Sequence, residues 1–356
     1  MTKGVRARGW GSLSLFSMIP AHNASVPQPV LRHLIDHFAR PLARIAAPIL
    51  AAVLPVLATG CSISIPLVDE SRSTQHSPLG TMDGATPVSV RTDDGATLRG
   101  VRVESGVRDA IVILHLLPSR VSVEGGINAG VSRLSLKPML EDFKRAGFDS
   151  VVFDHRGVGA SDGPALPETL VEDGVAMWRA ALELVDGKED RVIVRAGSLG
   201  TIIAAELLAR GASPRAMVLY APVRSETVAA NAVRHHGGFA GWFLAPFVEK
   251  PRGRDLVEVL PKAKGPILVL LDRESPYLPD DEHAAIQAAA ERGAHPVVVT
   301  PFGHQLLVLR CWGFEVIETE GGGLESKAGL PPIAEETAWL DAVRSYAAGG
   351  EGGETR

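Results

Sequence analysis

The stretch RVIVRAGSLGTIIAAELLARG, Arg191–Gly211, changes character in its middle. RVIVRA is a nearly continuous apolar run, the pattern of a strand buried on both faces, whereas Leu199–Ala209 has the composition of a buried helix. Between them stands Ala196-Gly197-Ser198-Leu199-Gly200. Small residues on both sides of a serine permit a sharp strand-to-helix turn that lifts the hydroxyl above the sheet. The following helix then points its free N–H groups at the same spot. The same residues also suit a serine that fills a turn or caps a helix, so the neighbouring segments must decide.

Outward from this break, strand-like runs alternate with helix-like stretches. Before it come DAIVILHLL (Asp109–Leu117), a helix near Lys137–Ala146, DSVVFD (Asp149–Asp154) and a helix near Glu168–Val185. After it come RAMVLYAP (Arg215–Pro222), PILVLLD (Pro266–Asp272), a helix near Asp280–Arg292 and HPVVVTP (His295–Pro301). Ahead of them all, VSVRTDDGATLRGVRV (Val88–Val103) forms two alternating segments around Asp93-Asp94-Gly95, a hairpin signal. Val/Ile/Leu strands separated by helices predict an α/β class fold, with a mostly parallel sheet covered by helices on both faces. Residues 223–262 break the rhythm and bring Phe239, Trp242, Phe243 and Phe247 close together, as a short cap insertion would. The domain is expected to span 87–348, closing with a helix over Ile333–Ala348 ahead of a Gly-rich tail, 349–356.

With 46% hydrophobic and 22% charged residues among 356, the chain has the profile of a folded globular protein with a large core. Its formal charge is −5, and acids and bases are interspersed, which excludes a nucleic-acid surface as a reading. The first 60 residues differ, with Lys3, Arg6, Arg8, Arg32, Arg40 and Arg44 against the single acid Asp36. They end in IAAPILAAVLPVLA (Ile45–Ala58) and Thr59-Gly60-Cys61. That apolar run is too short to span a bilayer but suits the core of an export signal. LATGC resembles a bacterial lipobox, with Ala58 where Leu is usual, and the resemblance implies lipidation of Cys61 and anchoring in the cell envelope. The basic leader is longer than such signals need, which points to initiation nearer Met18 or Val30. Residues 61–86, rich in Ser, Thr, Pro and Gly, then read as a tether. Cys311 is the second and last cysteine, so no structural disulfide is expected.

Ligands of open parallel sheets bind at the carboxyl ends of the strands. There, FDHRGVGASDG (Phe153–Gly163) carries D-x-R-G-x-G-x-S at Asp154, Arg156, Gly157, Gly159 and Ser161. This resembles the signature loop of α/β-hydrolases, and the Asp94-Gly95 hairpin, LPKAKGPILVL (Leu260–Leu270) and Gly303-His304 follow in that family's order. The resemblance covers about Val88–Leu307. It implies the α/β-hydrolase fold, with Ser198 as nucleophile, His304 on a loop after the last strand as general base, and Arg156 as a structural tie. It implies no metal or organic cofactor. His235-His236 lacks carboxylate or Cys partners at metal spacing, and Gly157-Val158-Gly159 opens no dinucleotide fingerprint.

Three positions depart from that pattern. The acid is usual where Ser275 stands in LLDRESPYLPDDE (Leu270–Glu282); Glu274 is the preferred replacement, with Asp272 at the strand end as the alternative. His115-Leu116-Leu117 replaces the usual H-G-x, so that the N–H groups of Leu117 and Leu199 are the expected oxyanion hole. Ala196 replaces the first glycine of G-x-S-x-G. The expectation is an exported serine hydrolase acting on a small-molecule carboxylic ester or thioester, associated with a membrane through lipidated Cys61. Phe239, Trp242 and Phe243 would line an acyl pocket or simply pack together. A hydrolase-like binding or envelope scaffold without catalysis, and an acyltransferase or peptidase on the same machinery, remain open alternatives.

Overall fold

The computed structural model describes residues 84–116, 133–157, 161–164, 166–311, 314–318, 324–328, 334 and 336–341. The expected signal segment, residues 61–83 of the expected tether with Cys61, Leu117 and the 349–356 tail fall outside them, whereas Ala85 and Thr86, expected in the tether, already belong to the first strand. Strand β1 (Ala85–Arg91) turns through Thr92–Ala96 into β2 (Thr97–Val103), the two pairing antiparallel with Val90 opposite Leu98. Gly95, at φ +93°, supplies the left-handed residue of the turn. The hairpin forms one edge of an eight-stranded sheet of order β1-β2-β4-β3-β5-β6-β7-β8. The other strands are β3 (Val112–Leu116), β4 (Asp149–Phe153), β5 (Val192–Gly197), β6 (Ala216–Tyr220), β7 (Ile267–Leu271) and β8 (Val297–Val299). From β4 to β8 every pairing is parallel, and only β2 runs against the other strands, pairing antiparallel with both β1 and β4.

Each central strand is buried along its whole length, and alternate residues serve two cores. Val112, Leu114, Val192, Val194, Leu219 and Val269 pack under α2 (Leu170–Glu183), α3 (Gly200–Ala209), α6 (Leu256–Val259) and α7 (Asp280–Arg292). Ile113, Ile193, Val218 and Leu268 pack under α1 (Arg133–Arg145) and α8 (His304–Cys311), joined by Leu340 of the helical stretch 336–341. Burial of this kind stabilises by about 25 cal/mol per Å² of apolar surface, which explains why these strands read as unbroken Val/Ile/Leu runs.

Several boundaries differ from expectation. Helix α1 begins ahead of Pro138 and carries that proline inside it, whereas the sequence suggested a start at Lys137 beside the proline. The insertion is helical, with α4 (Val228–His236) and α5 (Gly238–Leu244) ahead of α6. A separate antiparallel pair, β9 (Phe314–Glu318) with β10 (Leu324–Ala328), follows α8 where no strand was foreseen. Of the predicted closing helix, 334 and 336–341 are described, and they are helical. No helix among the described residues is long and apolar enough to cross a membrane.

Candidate active site

The strand order reverses between β3 and β5: from β3 the chain goes to β4 on one side, and β5 lies on the other. A crevice opens at the carboxyl ends of strands at such a switch point. Ser198 stands there, half-buried, between the last residue of β5 and the start of α3. Its φ is +49°, a left-handed conformation that is uncommon for a residue with a side chain and marks a turn held by its surroundings. What holds it is visible. Ser198 N–H donates to the Tyr220 carbonyl at 3.1 Å, and its own carbonyl accepts from Thr201 N–H at 2.9 Å and Thr201 Oγ1 at 2.6 Å. A Cβ on Gly197 would collide with the Tyr220 ring, and one on Gly200 with the Leu116 carbonyl. Both glycines are therefore required by close approach, whereas Ala196, fully buried, fits without one.

His304 lies with Nε2 3.0 Å from Ser198 Oγ. Its other nitrogen, Nδ1, is 2.8 Å from Asp272 Oδ2 and 3.3 Å from Ser275 Oγ. Asp272 is the residue after β7 and is 0% exposed, while His304 is 5% exposed. The second Asp272 oxygen, Oδ1, has no hydrogen-bond partner among the described residues. Geometry thus puts the carboxylate at the strand end, not Glu274, on the imidazole. Glu274 is exposed, and only its main chain reaches His304, by accepting from His304 N–H at 3.1 Å. The preference for Glu274 is corrected for a simple reason: its side chain points outward from a turn whose carbonyl faces in. His304 also differs from expectation in opening helix α8 instead of sitting on a loop.

Of the two expected oxyanion donors, Leu199 N–H directly follows Ser198 at the amino end of α3, where first-turn N–H groups lack intrahelical acceptors. Leu117 lies outside the described residues, although β3 ends at Leu116 against Gly200. The D-x-R-G loop is a tie. Arg156 pairs with Asp173 of α2, through Nε at 2.6 Å and its main-chain N–H at 2.9 Å, and with Asp94 of the β1–β2 turn. The Arg156 guanidinium holds the Asp94 carboxyl down at about 2. Ser161 Oγ donates to the Asp154 carbonyl at 2.7 Å and accepts from Arg99 N–H at 2.9 Å, pinning the loop to β2.

The helical insertion also touches this site. His236 Nε2 of α4 lies 3.1 Å from the Tyr277 hydroxyl, and the Tyr277 ring meets the His304 ring. Trp242 and Phe243 are 66% and 47% exposed, so these two do not line an enclosed pocket; the Phe239 side chain lies outside the described ones. Among the described residues, no group of three or more His, Cys, Asp or Glu side chains is placed to hold a metal ion.

Strand order, a left-handed serine between β5 and α3, and a histidine after β8 together define the α/β-hydrolase fold. A family model described as serine aminopeptidase, S33, matches residues 129–292, a span that holds Ser198 and Asp272 and ends before His304. Among solved structures, an α/β-hydrolase from Vibrio vulnificus is similar over 66% of this chain and 83% of its own, at 21% identity and a TM-score of 0.50. An esterase from Pyrococcus furiosus is similar over 63% of this chain and 85% of its own, at 20% identity and a TM-score of 0.48. No curated protein matches the sequence.

Proposed function

We propose that the chain is a serine hydrolase that cleaves a carboxylic ester or thioester through an acyl-enzyme intermediate. The observation that supports it best is the unbroken line from Ser198 Oγ through His304 to Asp272, at 3.0 and 2.8 Å, ending on a left-handed elbow. A serine hydroxyl is a poor nucleophile at neutral pH. His304 Nε2 takes its proton as Oγ attacks the acyl carbon, and Asp272 stabilises the imidazolium and fixes its tautomer. The oxyanion is received by Leu199 N–H and, in this proposal, Leu117 N–H. Collapse breaks the bond to the leaving oxygen or sulfur, which departs with the proton from His304. Water, deprotonated by His304, then releases the acid and restores Ser198.

The family match described as a serine aminopeptidase favours a second reading, cleavage of a peptide bond by the same residues. A panel of p-nitrophenyl acyl esters, acyl thioesters and aminoacyl p-nitroanilides separates the two. Ester or thioester turnover, with a nitrophenol burst equal to the enzyme and none in Ser198→Ala, supports the first proposal. Turnover of anilides alone moves the function to peptides, and inertness towards all three classes counts against hydrolysis. We also propose anchoring through lipidated Cys61, a separate matter tested by Cys61→Ser: unchanged membrane partition and mass would remove it.

A further inference from the structure

Tyr277 lies outside the Ser198, His304 and Asp272 line, yet through it the cap reaches that line. Its ring meets the His304 imidazole in a T-shaped arrangement, with centroids 4.9 Å apart and planes at 75°. The same ring packs against those of His236 and His235 at 6.0 and 6.2 Å. Its hydroxyl is 3.1 Å from His236 Nε2, and its carbonyl accepts from Asn231 Nδ2 at 3.1 Å. Asn231, His235 and His236 all belong to α4. On the other side, Tyr277 N–H donates to Ser275 Oγ at 3.2 Å, and Ser275 Oγ stands 3.3 Å from His304 Nδ1.

Asp272 and Ser198 hold His304 by its two nitrogens. These two bonds and the bond to Cβ place the imidazole, but small changes in its side-chain torsions still tilt it within them. Packing against the ring limits that tilt, and the Tyr277 ring supplies it. The energy of such a ring pair is small, but proton transfer depends steeply on alignment. Tyr277 is in turn held by α4 at both its hydroxyl and its carbonyl. Displacing α4 withdraws two of its anchors at once.

We propose that Tyr277 is a positioning residue for His304, and that its bonds to α4 make alignment of the base depend on where the cap sits. This rests on His304 acting as general base. A seated α4 holds Tyr277, and Tyr277 keeps Nε2 on Ser198. A displaced α4 lets the imidazole tilt. An acyl chain that seats the cap therefore raises the rate of acylation more than it raises affinity.

The test uses the full chain and a p-nitrophenyl acyl ester, comparing Tyr277→Leu, Tyr277→Phe, His236→Leu and the Phe/Leu double variant, each checked for thermal unfolding. Tyr277→Leu is expected to lower kcat about fivefold to tenfold with KM within about twofold. Tyr277→Phe restores the ring and recovers most of that loss. Tyr277→Phe and His236→Leu each lower kcat about twofold, and together they lose no more than either alone, because both cut the same tie. If Tyr277→Leu does not fold, this cycle carries the test by itself. Labelling of wild-type Ser198 by a fluorophosphonate keeps the outcomes apart: an unlabelled wild type refutes the hydrolase proposal itself. A labelled wild type with unchanged kcat in Tyr277→Leu, a loss confined to KM, or additive losses in the cycle would overturn the role of Tyr277.

Discussion

His304 and His115 are both buried, 5% and 0% exposed, and each has a serine oxygen near Nε2: Ser198 Oγ at 3.0 Å and Ser150 Oγ at 3.3 Å. What stands behind each ring differs. Behind His304 is a carboxylate, Asp272. Beside His115, directly across the β3–β5 register, is Arg195. Burial first, and then this guanidinium, hold the His115 imidazole well below the ordinary histidine range. Protonation of His115 is disfavoured there, and Ser150, 1% exposed within β4, cannot meet a substrate. Arg195 is locked in turn. Burial opposes its charge, but Glu336, bonded to it through Nε and at 3.0 Å through a second nitrogen, raises its pKa above arginine's ordinary value. A serine beside a histidine is thus only half of a nucleophile; the sign of the next charge and access to the hydroxyl decide the rest.

This contrast can be broken at either end. Ser198→Ala should lower kcat/KM for a turned-over ester by about four to six orders of magnitude, while Ser150→Ala stays within about threefold per folded molecule. Loss of activity in Ser150→Ala at full folding would contradict the division of roles. Next, Asp272→Asn should cost about three to four orders of magnitude in kcat, because the wrong tautomer is then favoured at Nδ1. At the other pair the currency is stability. Glu336→Gln leaves the Arg195 charge buried without its partner and should destabilise by about 3–5 kcal/mol in urea unfolding. Replacing both, Arg195→Met with Glu336→Leu, should cost less than Glu336→Gln alone. The smallest effect is in pH. Below about 6.5 an unfolded His115 takes up a proton that the folded one refuses. The stability it contributes is complete above that pH and is lost as pH falls, by at most about 1.4 kcal/mol per unit. In His115→Gln the fall in thermal stability between pH 7 and 5 should be shallower.

The sheet was legible because its strands are buried on both faces, so their apolar runs needed no partner to be recognised. The turn at Ser198 was legible for the same local reason: Gly197 and Gly200 are small because Tyr220 and Leu116 press against them. The carboxylate beside His304 was the second choice: the family's usual acid position falls on Ser275, which favoured its neighbour Glu274, whereas the carboxyl end of β7 carries Asp272. The contacts from Tyr277 to α4 and from Arg195 to Glu336 left no local signal, since each joins residues 41 or 141 positions apart. Nor did β9 and β10, whose short segments lack the apolar runs of the central sheet.

The rate at which a fluorophosphonate bonds to Ser198, followed by intact mass in the wild type, Asp272→Asn and Glu274→Gln, tests the central claim most directly. Wild type and Glu274→Gln should label at the same site within about twofold of each other, and Asp272→Asn about three orders of magnitude more slowly. An unlabelled folded wild type, or labelling that survives Asp272→Asn and fails in Glu274→Gln, would contradict it.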